Sequence, residues 1–165
     1  MTLLETERLV LRTLTADEAA AIRSGDRTGR AWADDYPSDG DAVVAAVIGE
    51  AGEHYDESAP LGVLQVLRRD TGLAVGGIGF LHAVEDGEAE VGYGLAESAH
   101  GQGYATEALV AVLGLAREHG VERVVALTDL DNLASQRVLQ RCRFEPAGSV
   151  SSPEGEQLRW LRRLD

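Results

Sequence analysis

Lysine is absent, and all 15 basic residues are arginines. Schiff-base chemistry and lysine-bearing phosphate loops are therefore excluded. The single cysteine, Cys142, has no partner for an intrachain disulfide. No apolar stretch approaches the roughly 18 residues of a membrane-spanning helix, and the opening MTLLETERLV has neither the basic segment nor the apolar core of a signal peptide. The expectation is a cytoplasmic protein that does not enter a membrane. Positive charge is in deficit as well, with 28 acidic residues giving a formal charge of -13. Such a surface repels a phosphate backbone, which excludes nonspecific nucleic-acid binding. The histidines are scattered, and no group of His, Cys and carboxylates has metal-ligand spacing, so no metal is expected.

The 165 residues, 44% hydrophobic and 26% charged, suit a single globular domain spanning 1–165 without linker or repeat. Leu9 to Leu14 alternates apolar with polar residues, as a strand does, and Thr15 with Glu18 has the spacing of a capping box that opens a helix. After the turn-rich GRAWADDYPSDGD, Val43, Val44, Val47, Ile48 and Ala51 recur at helical spacing. Three strands follow over 62–68, 73–83 and 88–95, separated by Asp70-Thr71-Gly72 and Glu85-Asp86-Gly87, residues that favour an antiparallel meander. Ala105, Ala108, Leu109, Val112, Leu115 and Ala116 mark a buried helix ended near His119 and Gly120. A strand over 121–128, a helix over 132–142 and strands over 144–150 and 157–164 complete the chain. This order predicts an α+β fold with a mixed sheet of about seven strands and four main helices.

Two stretches carry possible chemistry. His100-Gly101-Gln102-Gly103-Tyr104-Ala105-Thr106 joins the last meander strand to the buried helix. Glycine lets the chain turn, and the first N–H groups of a helix lack intrahelical partners and attract an anion, so a pyrophosphate fits here without lysine. A plain strand-to-helix turn fits the same residues. On the last helix the inward positions are Ser135, Val138, Leu139 and Cys142. Ser135, the polar exception, either bonds back to a helix carbonyl or faces a cleft. Asn132 either caps that helix or meets a ligand amide. Charge is uneven, too: residues 30–60 hold eight acids against Arg30 alone, whereas residues 100–145 hold six acids and five arginines. The second region tolerates an anionic ligand, and the first favours a cationic one.

Taken together, these residues resemble the GNAT superfamily of acyl-CoA-dependent N-acyltransferases, in particular its ribosomal-protein alanine N-acetyltransferase branch. The phosphate loop of that family reads Gln/Arg-x-x-Gly-x-Gly/Ala, and His100 to Ala105 matches it except at the first position. Asn132, Ser135, Arg137, Val138, Leu139 and Phe144 resemble its second cofactor motif. Glu7-Arg8-Leu9 with Leu11-Arg12 is similar to the opening of the branch, and Ala89-Glu90-Val91-Gly92-Tyr93 to its fourth strand.

The resemblance implies acetyl-CoA as cosubstrate, held where the fourth and fifth strands splay at a bulge, for which Gly92 and Gly94 around Tyr93 are suited. It implies cofactor contacts from the Leu95 backbone, from His100, Gln102, Gly103, Tyr104, Ala105 and Thr106 at the pyrophosphate, and from Asn132 and Ser135. It further implies direct attack on the thioester by a primary amine, either a small-molecule cation or a peptide N-terminus; the sequence does not choose between monomer and homodimer. The acceptor side would be lined by Trp32, Asp34, Asp35 and Tyr36 of the loop between the first two helices, with Tyr93; carboxylates beside aromatic faces suit a cationic amine. At about pH 7.5 an α-amino group of pKa about 7.9 is roughly a quarter neutral, and a lysine-like amine near 10.4 roughly 0.1% neutral, so a base is optional for the first and valuable for the second. Glu90 is the candidate base, with His82 second. Many relatives protonate the leaving thiolate from a tyrosine seven residues after the asparagine; Leu139 stands there in this chain, so Ser135 is the candidate donor. Arg143 replaces the glycine that usually precedes the phenylalanine. The alternative is a noncatalytic acyl-CoA-binding regulatory module.

Overall fold

The computed structural model describes all 165 residues. Its strands are β1 (Leu3–Glu5), β2 (Leu9–Thr13), β3 (Val63–Arg68), β4 (Ala74–Phe80), β5 (Glu88–Leu95), β6 (Arg123–Asp129), β7 (Glu145–Ser152) and β8 (Gly155–Arg163). Its helices are α1 (Ala16–Ser24), α2 (Asp39–Ala51), α3 (Tyr104–Glu118) and α4 (Leu133–Arg141). The strands form one sheet in the order β1-β2-β3-β4-β5-β6-β8-β7. All neighbours are antiparallel except β5 and β6. This is the expected α+β architecture with eight strands rather than about seven. The added strand is β1, which pairs Leu3 with Arg12 and Glu5 with Val10; three residues are too few to display a period.

Alternation along β5 separates the helices. A Cβ on Gly94 would lie 3.5 Å from Ser38 Oγ at the head of α2, whereas the neighbouring Tyr93 reaches Ser135 of α4. Successive side chains point to opposite faces of a sheet, so α2 and α4 cover opposite faces. Leu9, Leu11, Leu64, Ile78, Leu109 and Leu139 are among the fully buried side chains of the core. No helix is long and apolar enough to cross a membrane.

Caps fix the helix starts. Thr15 Oγ1 accepts from the Glu18 N–H at α1, and Ser38 with Asp41 forms a reciprocal capping box at α2. That box turns Asp41 inward beside Ala45 and Ile48 and leaves Val43 and Val47 facing solvent. The buried stripe of α2 is therefore displaced from the valine-rich face that spacing alone selects.

The feature that positions the site is the parting of β5 from β6. Their ladder covers only Glu88 with Arg123, Ala89 with Val124 and Glu90 with Val125. Beyond it β5 stays paired to β4 as far as Leu95, and β6 to β8 as far as Asp129. The splay thus opens without the bulge expected at Gly92 and Gly94, because the β4 and β5 register runs unbroken from Phe80 with Val91 to Gly76 with Leu95. On the intact β4 side the two backbones approach closely: a Cβ on Gly76 would lie 2.3 Å from the Gly94 carbonyl oxygen, so only glycine fits there.

Candidate active site

The parted strands open into a cavity of about 450 Å³ between the end of β5, the N-terminus of α3 and one face of α4. Of the sequence-derived candidates, Tyr93, Leu95, His100, Gly103, Tyr104, Ala105, Thr106, Asn132 and Ser135 all line it. The loop that feeds α3 passes through left-handed backbone at Gly101 (φ 74) and Gly103 (φ 80), conformations that glycine adopts without strain. No side chain caps α3, and Tyr104, Ala105 and Thr106 of its first turn line the cavity, so its positive dipole end is free for an anion.

Thr106 Oγ1, in that first turn, is buried with no hydrogen-bond partner. Arg137 and Arg141, one helical turn apart on α4, also line the cavity, and no carboxylate pairs with either. An unpartnered hydroxyl, free helix N–H groups and two uncommitted guanidinium groups suit a ligand rich in phosphate oxygens. Spacing on α4 marks only its inward stripe, so it misses Arg141 on the flank, and Arg137 enters only through the resemblance to the second cofactor motif, with no contact assigned to it.

Two loop residues serve the loop itself. His100 Nε2 lies 2.8 Å from the Leu95 carbonyl oxygen, so the imidazole is engaged with the strand end expected to meet the pantetheine arm. Gln102 is outside the lining; its side chain donates to the Ser98 carbonyl, and its own carbonyl accepts from Arg8. Arg8 in turn pairs with Glu107 of α3 at 2.7 Å and stacks over the Tyr104 ring, 4.6 Å from its centroid. The Tyr104 ring is thereby held on the protein side, which leaves its backbone for a ligand. Asn132 Oδ1 accepts from the Ser135 N–H and caps α4. Ser135 Oγ meets the Tyr93 hydroxyl at 2.8 Å. Burial pushes the Tyr93 phenol up to about 12.

The candidates for the acceptor side are not brought together. Trp32 and Tyr36 are core residues, packed edge to face with centroids 5.3 Å apart. Trp32 Nε1 donates to Glu18, Gln65 Nε2 donates to the Tyr36 hydroxyl, and burial raises the Tyr36 phenol. Asp35 accepts from both the Ser98 N–H and its hydroxyl at 2.7 Å, which ties the loop to the short turn ahead of His100; those bonds lower its pKa. Asp34 alone of the four is exposed and uncommitted. The loop buries its aromatic rings because that is where their large apolar area is best removed from water.

Glu90 belongs to the last paired rung of β5 and β6, at the crotch of the splay. It lies in a second hollow with His82, Glu85, Asp86, Glu88 and Arg123, away from Tyr93 and Ser135. By alternation it faces the side of the sheet opposite to Tyr93. Glu88 in that hollow is bound by Arg123 and Arg159, whereas Glu90 has no ion-pair partner.

Parted central strands above an uncapped helix N-terminus, with a serine and an asparagine on the facing helix, define an acyltransferase of the N-acetyltransferase class. The acetyltransferase (GNAT) domain family matches residues 8–145, and the chain belongs to it. An uncharacterized N-acetyltransferase of Bacillus subtilis, YoaA, is 29% identical over 152 residues, 88% of this chain and 84% of that one. The acetyltransferase from Agrobacterium tumefaciens superposes with a TM-score of 0.70 at 27% identity, over 99% of this chain and 95% of the other. RimL, a ribosomal L7/L12 alpha-N-protein acetyltransferase solved in complex with coenzyme A, superposes with a TM-score of 0.71 over 99% of both chains. At 20% identity the likeness to RimL is one of fold.

Proposed function

We propose that this protein transfers an acetyl group from acetyl-CoA to a primary amine, either a peptide N-terminus or a small cationic amine. The observation that carries this reading is the cavity between the parted strands, which sets the α3 N-terminus, Thr106 and two unpaired arginines around one space. Acetyl-CoA supplies an activated thioester. The α3 N–H groups, Thr106, Arg137 and Arg141 hold its phosphates, while Leu95, Asn132 and Ser135 flank the arm.

The chemistry asked of the protein is chiefly positioning and polarisation. A backbone N–H at the end of β5 polarises the thioester carbonyl, and binding holds the amine in line with it. The amine arrives from the opposite face of the sheet, where Glu90 stands at the crotch and takes its proton directly or through water. The carboxylates around Glu90 favour a cation there, and this hollow replaces the Trp32 to Tyr36 loop as the acceptor side. Ser135 donates to the leaving thiolate, which at a pKa near 8.5 is a good enough leaving group to need only a hydrogen bond.

The test is release of free thiol from acetyl-CoA across a panel of small amines and N-terminal peptides. Turnover with either class supports the proposal and names the acceptor. Binding of CoA without turnover on any acceptor would leave the noncatalytic module, and absence of CoA binding would overturn the assignment.

A further inference from the structure

Ser135 has one proton and two lone pairs to distribute. A helix serine commonly donates to a carbonyl one turn back, but Ser135 Oγ makes no such bond, and the one protein group that meets it is the Tyr93 hydroxyl at 2.8 Å. The contact spans the splay, because Tyr93 stands on β5 and Ser135 on the helix that follows β6. Tyr93 is half-buried against this helix and lines the same cavity as the serine. Leu139, one turn further along the inward face of α4, is fully buried in the core and presents nothing to the cavity.

Two arrangements satisfy the pair. In one, the serine donates to the phenol and the phenol donates to the Ser135 carbonyl at 3.3 Å, which leaves no proton for a ligand. In the other, the phenol donates to Oγ and the serine proton is free. The choice turns on the 2.8 Å contact: there the more acidic phenol is the better donor and the serine oxygen the better acceptor, and the phenol's other acceptor, the carbonyl, is farther away at 3.3 Å, which selects the second.

We infer that Tyr93 is a positioning residue for the leaving group: by donating to Ser135 Oγ it turns the serine's only proton into the cavity, toward the departing sulfur. The inference rests on the acetyl-CoA reading above. As the amine nitrogen forms its bond to the carbonyl carbon, the carbon–sulfur bond breaks and its electron pair leaves on sulfur. The surplus proton of the amine goes to Glu90 or water. Neither hydroxyl gives up its proton: the Tyr93 phenol, pushed by burial up to about 12, lies far above a thiol near 8.5. The pair therefore stabilises a thiolate by hydrogen bonding, and the thiolate is protonated later from solvent.

Free CoA reports on this arrangement without turnover, through the ultraviolet absorbance of its thiolate titrated on the enzyme against an enzyme blank. In the wild-type protein the bound thiol should titrate about one pKa unit lower than in Tyr93→Phe. Ser135→Ala should raise it by a similar amount, and the double variant no further. In turnover, Tyr93→Phe should lower kcat about 10-fold with little change in KM for acetyl-CoA, again without additivity with Ser135→Ala. If CoA does not bind the wild-type protein, the acetyl-CoA reading falls and this inference with it. If CoA binds and its thiol titrates alike in wild-type and Tyr93→Phe proteins, or the two substitutions add, the positioning role is overturned while the reading stands. Should the phenylalanine variant fail to fold, an unchanged thiol pKa in Ser135→Ala overturns it equally.

Discussion

Thr106 is a hydroxyl held out of water with nothing to bond to. An unsatisfied buried hydroxyl costs about 1–3 kcal/mol, so the free protein bears a penalty that a phosphate oxygen would relieve. Thr106→Val keeps the shape and removes the hydroxyl. It should leave the unliganded protein as stable or more stable in urea denaturation, yet weaken CoA binding by calorimetry about 5- to 10-fold, the worth of roughly one hydrogen bond. Loss of stability without loss of affinity would mean that the hydroxyl serves the fold. Arg143 presents the second anomaly, a non-glycine residue at φ 64 just past the end of α4. The Arg143 N–H donates to the Gln140 carbonyl and the Phe144 N–H to the Leu139 carbonyl, bonds that need the left-handed turn. Arg143→Gly should therefore be neutral or stabilising by up to about 1 kcal/mol, measured as the shift in urea midpoint; a clear loss would show that the arginine side chain holds the turn.

The elements followed the residue pattern wherever a period or a cap was local. The meander strands, the α3 stripe and the Thr15 cap were legible because each rests on neighbours within a few residues. Legibility failed where a distant partner decides. Asp35 and Tyr36 read as acceptor groups, but Ser98 and Gln65, far along the chain, occupy them, and the splay is an interrupted ladder, with no local bulge to mark it. Arg8 read only as part of a resemblance, yet it ties the start of β2 to the glycine-containing loop ahead of α3 through Glu107 and Gln102. Asp41 joins both cases, a local cap whose burial depends on the sheet beneath it. Burial raises its pKa, against the lowering effect of the Ser38 hydroxyl and N–H. The native state then holds this proton to higher pH than the unfolded chain, so stability falls as pH rises from the ordinary value of 3.8 through the raised one. Asp41→Asn retains an acceptor for Ser38 and has no proton to lose. Its stability relative to wild type should improve between pH 4 and pH 7 in urea denaturation, and a gap that stays constant with pH would refute the buried charge as its cause.

Over the whole molecule the charge of -13 is less free than the count suggests. Asp35, Asp41, Asp56 and Glu57 of the acidic segment accept hydrogen bonds from backbone N–H groups, so they first serve to hold the backbone. Their charge still contributes to the long-range field, which opposes an anionic cosubstrate and attracts a cationic acceptor. Close to the cavity the sign reverses, because Arg137 and Arg141 stand at its wall. Salt separates the two scales. The Debye length shrinks from about 30 Å at 0.01 M to about 10 Å at 0.1 M and about 3 Å at 1 M. The first interval removes mainly the repulsion from distant acids, and the second begins to screen the arginines themselves. CoA affinity measured by calorimetry should accordingly rise about two- to threefold between 0.01 and 0.1 M salt and fall again toward 1 M. The KM of a cationic acceptor should climb throughout, since distant and local carboxylates act on it with one sign. CoA affinity that falls steadily from the lowest salt would show that the cavity arginines outweigh the molecular field at every distance. An acceptor KM indifferent to salt would mean that the amine is recognised by shape or as the neutral base, and the acidic segment would then be left with its structural role of holding backbone N–H groups.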